Sequence, residues 1–169
     1  MLIRQETSND YEEVYYVVKQ AFVSAEHNDE KEQDLVAALR KSDAFIPQLS
    51  LVAEINGKIV GHILFTEAKV GSDTVLVLAP LSVLPEFQKQ GVGTALIRKG
   101  HETGKELGYE YSLVLGSEKY YPRFGYLPAI QFGIEVPEGM PSVNFMAIQL
   151  QEHAGSINGV VTYAKEFGI

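Results

Sequence analysis

The stretch Leu81-Ser82-Val83-Leu84-Pro85-Glu86-Phe87-Gln88-Lys89-Gln90-Gly91-Val92-Gly93-Thr94-Ala95-Leu96 decides how this chain is read. Thr74 to Leu84 carries apolar residues on both faces (Leu76, Val77, Leu78), which marks a central strand. Pro85 to Gln90 breaks the pattern, and Gly91 to Leu107 reads as a helix with Leu96 and Ile97 on its buried side, ending at Gly108. A strand therefore feeds a short loop, and a helix starts at two glycines. The first turn of such a helix exposes N–H groups that lack an intrahelical partner, at the positive end of the helix dipole. That arrangement suits phosphate or pyrophosphate. Gly91 and Gly93 allow close backbone approach, and Lys89 and Arg98 can add charge.

Upstream, Leu2 to Gln5 reads as a short strand. Ser8-Asn9-Asp10 offers caps for a helix over Tyr11 to Phe22, with Val14, Val17, Val18 and Phe22 on one side. A second helix is expected to begin within His27 to Asp34 and to end near Arg40-Lys41, with Leu35, Val36 and Leu39 as its stripe. Leu49 to Ile55 and Lys58 to Val70 read as a hairpin, because Asn56-Gly57 supplies two positions that tolerate positive φ. Gly71-Ser72-Asp73 turns the chain into the strand before the glycine loop. Downstream, Tyr111 to Leu115 is a short strand, expected parallel to the one before the helix. Glu118 to Phe124 is a short helical turn. Tyr126 to Val136 and Asn144 to Leu150 are expected as a closing antiparallel pair, with Gly159 to Ala164 as a last short strand. The order β-α-α-β-β-β-α-β-α-β-β describes an α+β chain, a mixed α/β sandwich forming one domain over residues 1–169.

Composition narrows the chemistry. The 169 residues are 46% hydrophobic and 21% charged, as in ordinary globular domains. The absence of cysteine excludes disulfides, thiolate metal sites and a cysteine nucleophile. A net charge of −8 argues against a phosphate-tracking nucleic-acid surface. His27, His62, His101 and His153 have no metal-binding spacing, so no metal is expected. The start shows no signal-peptide pattern and no apolar run reaches membrane length, so no membrane partner is expected and the cytoplasm is the simplest placement.

Among nucleotide sites, a P-loop is absent, and a dinucleotide fingerprint fails where Leu96 stands in place of its third glycine. The remaining pattern is Gln88-x-x-Gly91-x-Gly93. It resembles the pyrophosphate motif of the GCN5-related N-acetyltransferases (GNAT). The Leu81–Pro85 segment before it and Tyr121-Pro122-Arg123-Phe124-Gly125-Tyr126 after it look like two further family signatures. The run Glu118 to Tyr126 resembles the YhbS-like predicted acetyltransferases. The resemblance implies the acyl-CoA N-acyltransferase fold, a central sheet splayed at the co-substrate site, and acetyl-CoA lying between the strand ending at Leu84 and the strand Tyr111 to Leu115.

Carried over, the motif assigns acetyl-CoA contacts to Leu81, Ser82, Val83, Gln88, Lys89, Gln90, Gly91, Val92, Gly93 and Thr94. The backbone of Ser82 and Val83 would bind pantetheine and the thioester carbonyl, and the amides of Gln88 to Thr94 the pyrophosphate. Tyr121 would be the general acid at the thioester sulfur. A phenol there can protonate a departing thiolate, and an N–H aimed at the carbonyl stabilises the oxyanion. Tyr120 is a second candidate, and Tyr120, Tyr121, Phe124 and Tyr126 also read as an aromatic core cluster.

An amine must lose a proton before it attacks. Some family members carry a glutamate near the position of Val77, where this chain is apolar. The base candidates are therefore Glu26, Glu32, Glu54, His62 and Glu67, with Glu26-His27 and Asp29-Glu30 also placed to meet a cationic amine. The favoured function is transfer of an acetyl group from acetyl-CoA to a primary amine, a small molecule before a protein, by direct attack. An acyl-CoA sensor and a transferase of another acyl group are the competing readings. A monomer and a homodimer paired through the closing hairpin both fit.

Overall fold

The structure is a computed structural model describing residues 1–23 and 31–169; Glu26, His27, Asp29 and Glu30 lie outside the described residues. The elements are β1 (Leu2–Gln5), α1 (Tyr11–Phe22), α2 (Glu32–Arg40), β2 (Phe45–Ile55), β3 (Lys58–Val70), β4 (Asp73–Val83), α3 (Val92–Glu106), β5 (Tyr111–Leu115), β6 (Leu127–Pro128), β7 (Ile134–Glu135), β8 (Phe145–Gln149) and β9 (Gly159–Thr162). The main sheet runs β1-β2-β3-β4-β5-β8-β6. β4 and β5 are parallel, and α3 makes the crossover between them; the other neighbours along this path are antiparallel.

Local chemistry explains the well-read elements. Asn56 and Gly57 both take positive φ (51° and 79°), which closes β2 onto β3. Asp10 heads α1: its carboxylate accepts the Thr7 N–H at 2.7 Å and is held by Arg4 at 2.8 and 2.9 Å. Val14, Val17 and Val18 then recur at helical spacing and are buried.

Helices cover both faces of the sheet. α3 packs closely because Gly100 has no side chain: a Cβ there would stand 2.2 Å from the Phe65 ring. Gly61 faces Val92 and Leu96 of the same helix, so the adjacent His62 points to the opposite face, under α1 and α2. There a buried polar network ties helix to sheet. Glu6 accepts bonds from Arg40 Nε (2.8 Å), Arg40 Nη2 (2.9 Å) and Ser50 Oγ (2.6 Å), and Ser50 Oγ lies 3.0 Å from His62 Nε2. A second core around Tyr111, Leu113, Phe145 and Ile157 fills the C-terminal half.

Three expectations are corrected. β2 begins at Phe45, through Pro47, because β1 reaches only to Leu51 and leaves that part of β2 an edge, where a missing N–H is tolerated. α2 begins at Glu32, within the expected span. The long closing strand is broken: only Leu127 and Pro128 pair with β8, a 3-10 turn follows, and Gly133 at φ 87° redirects the chain so that Ile134–Glu135 pairs with β9 in parallel. β9 itself ends at Thr162 and docks on the far end of β3. Among the described residues no helix is long and apolar enough to cross a membrane.

Candidate active site

β4 and β5 are paired only at Leu76–Ser112 and Val77–Leu113. Beyond that point β4 continues to Val83 and β5 to Leu115 without pairing, so the sheet opens. A register shift in β4 against β3, between Leu78 and Leu81, helps turn the strand away. The Leu84 N–H bonds Val60 O at 2.9 Å. By antiparallel alternation Leu84 and Ser82 aim their backbone groups at β3, whereas Leu81 and Val83 aim theirs into the opening. This corrects the expected role of Ser82, whose backbone is committed to the sheet. Its hydroxyl is buried and without a hydrogen-bond partner among the described residues.

The loop after β4 is fixed by its own glutamines. Gln88 Nε2 donates to Val83 O at 3.1 Å and Gln90 Nε2 to Glu86 O at 2.9 Å. Lys89 and Gly91 are both left-handed, at φ 61° and 87°. For Lys89 that conformation costs on the order of 1 kcal/mol, a strain characteristic of functional turns. The result is a run of amides facing outward. Gln88 N bonds Pro85 O and Ala95 N bonds Gly91 O, but the six N–H groups from Lys89 to Thr94 have no backbone acceptor among the described residues. Six unmet donors at the head of a fifteen-residue helix make a nest of the kind that suits an anion.

This nest borders a cavity of about 550 Å³ that also touches Leu81, Val83, Tyr120 and Arg123. Gln88, Lys89, Gly91, Gly93 and Thr94 line it. Gln90 is exposed beside it, and Val92 turns inward against Gly61. Arg98 is exposed along α3 and does not line the cavity; Arg123, stacked 4.9 Å over the Tyr120 ring, supplies the second cation instead.

The two tyrosines separate. Tyr120 reaches over the nest, its hydroxyl 2.6 Å from where a Gly93 Cβ would stand. Tyr121 points away, its ring laid on Gly116 just past β5 and edge-on to Tyr120 and Tyr126 at 5.1 and 5.7 Å. Burial, and then the neighbouring Tyr120, push the Tyr121 phenol upward, so it is protonated at neutral pH. Tyr126 is core: its hydroxyl is held by Ser112 (2.9 Å) and His101 (3.0 Å).

Tyr121 lines a second cavity of about 370 Å³, on the α1–α2 side of the opening. Leu81 lines both cavities and so stands between them. Phe22, Leu35, Val77, Met140, Tyr163 and Phe167 are among its walls. Glu32 lines it too, with Oε2 buried and without a hydrogen-bond partner among the described residues. The other base candidates stand elsewhere. Glu54 pairs with Arg4 at 3.1 Å, and Glu67 accepts the Tyr109 hydroxyl at 2.6 Å beside a different cavity. His62 is fully buried in the Glu6–Ser50 network, and burial lowers it to about 4. Arg123, Met140, Tyr163 and Phe167 escaped the sequence reading, because nothing in their local spacing joins them to the glycine loop.

The Acetyltransferase (GNAT) family model matches residues 6–126. The uncharacterized N-acetyltransferase YjhQ of Escherichia coli K12 is 48% identical over 102 residues, a match spanning 58% of this chain and 56% of that protein. The uncharacterized N-acetyltransferase YhbS of the same strain is 28% identical over 170 residues, covering 99% and 98%. The crystal structure of E. coli YhbS in complex with CoA superposes with a TM-score of 0.88 at 26% identity, over 99% of this chain and 92% of that one. A GNAT family acetyltransferase from Brucella melitensis in complex with acetyl-CoA gives 0.82 at 32% identity, over 98% and 97%. With a parted sheet, an amide nest at the head of α3 and a family match over residues 6–126, the chain belongs to the GNAT family of acetyltransferases.

Proposed function

We propose that residues 1–169 form one N-acetyltransferase domain that moves the acetyl group of acetyl-CoA to the primary amine of a small molecule, in the cytoplasm and without a metal. The observation that carries this reading is the run of six unmet amides from Lys89 to Thr94, next to a sheet that opens beside Leu81 and Val83. The E. coli and Brucella relatives that hold CoA and acetyl-CoA share this fold over nearly the whole chain, which supports the same co-substrate here.

Bound acetyl-CoA supplies an acetyl group activated as a thioester. The nest and Lys89 hold the pyrophosphate, with Arg123 and Tyr120 closing over it. The outward backbone of Leu81 and Val83 aligns pantetheine along β4, as an added strand would lie, and offers N–H groups for the carbonyl oxygen. Tyr121, neutral and with no hydrogen-bond partner among the described residues, lines the acceptor-side cavity. Its pKa lies above the ordinary 10, against about 8.5 for a thiol. It therefore works as a relay, giving a proton to sulfur as the amine nitrogen releases one. The absence of cysteine leaves no thiol for an acyl-enzyme, in keeping with direct attack in a ternary complex.

The test is thiol release from acetyl-CoA with a panel of amines. Tyr121→Phe should lower kcat by about 10²-fold or more while CoA still binds. An unchanged rate removes Tyr121 from the reaction. Tight CoA binding with no thiol release for any amine would favour a sensor.

A further inference from the structure

The second cavity carries more than a location. Glu32 is the one charged side chain among the described residues that line it, and the other walls are mainly aliphatic and aromatic. A carboxylate on an otherwise apolar wall is costly unless a ligand brings it a donor or a positive charge. An ammonium among Phe22, Leu35, Met140 and Phe167 is equally costly unless it meets an anion. Tyr163, raised to about 12 by burial, stays neutral and spends its hydroxyl on Met140 Sδ at 4.0 Å, so it adds no charge. The described walls are complementary to a single positive charge on an apolar body, and the net charge of −8 draws cations toward them.

We infer that Glu32 selects and deprotonates the acceptor, and that the acceptor is a primary amine carried on an apolar, arylalkyl-type group. This rests on the acetyltransferase reading above. The ammonium gives one proton to the Glu32 carboxylate. The nitrogen lone pair forms the C–N bond to the thioester carbonyl carbon, and the C–S bond breaks with its electron pair on sulfur. The nitrogen's second proton is balanced at sulfur through the Tyr121 hydroxyl, which gives one proton and regains one. Glu32 returns its proton to water. The sum is an amide, a free thiol and one released proton.

The experiment uses the full chain, 2-phenylethylamine and the polar amine ethanolamine, with acetyl-CoA binding measured calorimetrically in the same preparation. Expected are a kcat/KM at least about 10-fold higher for 2-phenylethylamine, and a loss of about 10²-fold or more in Glu32→Gln. The pH profile separates proton transfer from a structural role. Wild-type kcat/KM should not follow the ionisation of the amine. Glu32→Gln should rise steadily toward the pKa of the amine, because only amine already neutral in solution can react. Phe167→Ala, which removes a wall and leaves the carboxylate, should raise KM for 2-phenylethylamine several-fold more than KM for ethanolamine. If acetyl-CoA binds but the two amines are used equally or not at all, or if Glu32→Gln keeps the wild-type rate and profile, the inference is overturned and the acetyl-CoA site stands. If acetyl-CoA does not bind, both fall together.

Discussion

Gly116→Ala displaces the Tyr121 ring without deleting it. An ideal Cβ on Gly116 would lie 2.4 Å from Tyr121 Cε2 and 2.9 Å from Cδ2, where ordinary contact begins near 3.4 Å. The ring edge must therefore retreat by about 1 Å, and a misplacement of that size costs on the order of 10²-fold in rate. The ring also fills space between Tyr120 and Tyr126, so overpacking should cost roughly 1–3 kcal/mol. For a chain of this size that is a fall in Tm of about 2–10 °C. The nest is untouched, since Gly116 lies past β5 and the amides lie before α3. Thiol release should show kcat reduced toward that of Tyr121→Phe, with the calorimetric Kd for CoA within about twofold of wild type. The double variant should be no slower than the worse single one, because both act through the same hydroxyl. A Gly116→Ala protein with a lowered Tm and wild-type kcat would refute the positioning of Tyr121.

Three further outcomes follow from the geometry. Gly91→Ala meets no neighbour within 4 Å but must hold φ 87°, so it should cost about 1–2 kcal/mol; calorimetry should show weaker CoA binding, and unchanged affinity would detach the nest from the ligand. His62 and His101 are both lowered to about 4 by burial, below their unfolded value of 6.5. The unfolded chain therefore binds more protons between those values, and stability falls as pH drops from about 6.5 toward 4. Denaturant titrations at pH 7 and 4.5 should differ by roughly 2 kcal/mol per histidine, a difference that His101→Gln should reduce. Arg40→Leu leaves the Glu6 carboxylate buried without its partner at 2.8 Å and should cost about 3–5 kcal/mol. Arg4→Leu, at the more exposed Asp10 and Glu54 pairs, should cost less; equal losses in thermal unfolding would contradict the ranking.

Local signals carried much of this fold. Tyr11–Phe22, Lys58–Val70 and Tyr111–Leu115 are legible to the residue, because an apolar period and a turn signal agree at each end. The glycine loop was legible for the same reason: two glycines, a preceding strand and a following helix have one low-energy arrangement. What failed depended on distant partners. Whether Pro47 breaks β2 depends on where β1 stops. Whether Tyr126 to Val136 is one strand depends on the pull of β9 on Ile134, some 25 residues away in sequence. Ser82 and Val83 look alike as a strand end, and only the register against β3 decides which backbone faces the opening. The acceptor side was the least legible. Five acidic or histidine residues are equal candidates as a base, and Glu32 separates from the other three described ones only through its shared cavity with Tyr121. Tyr163, just after β9, and Phe167, in the 3-10 turn Lys165–Phe167, enter that cavity with no motif to announce them.

The central claim is that the amides of Lys89 to Thr94 hold the pyrophosphate of acetyl-CoA. A titration of the isotope-labelled protein with CoA, followed by amide NMR shifts, tests it most directly. Those six N–H signals should move together and saturate, with Leu81 and Val83 shifting alongside them and Ser82 less. Saturable shifts confined to another surface, or none at millimolar CoA, would contradict the account.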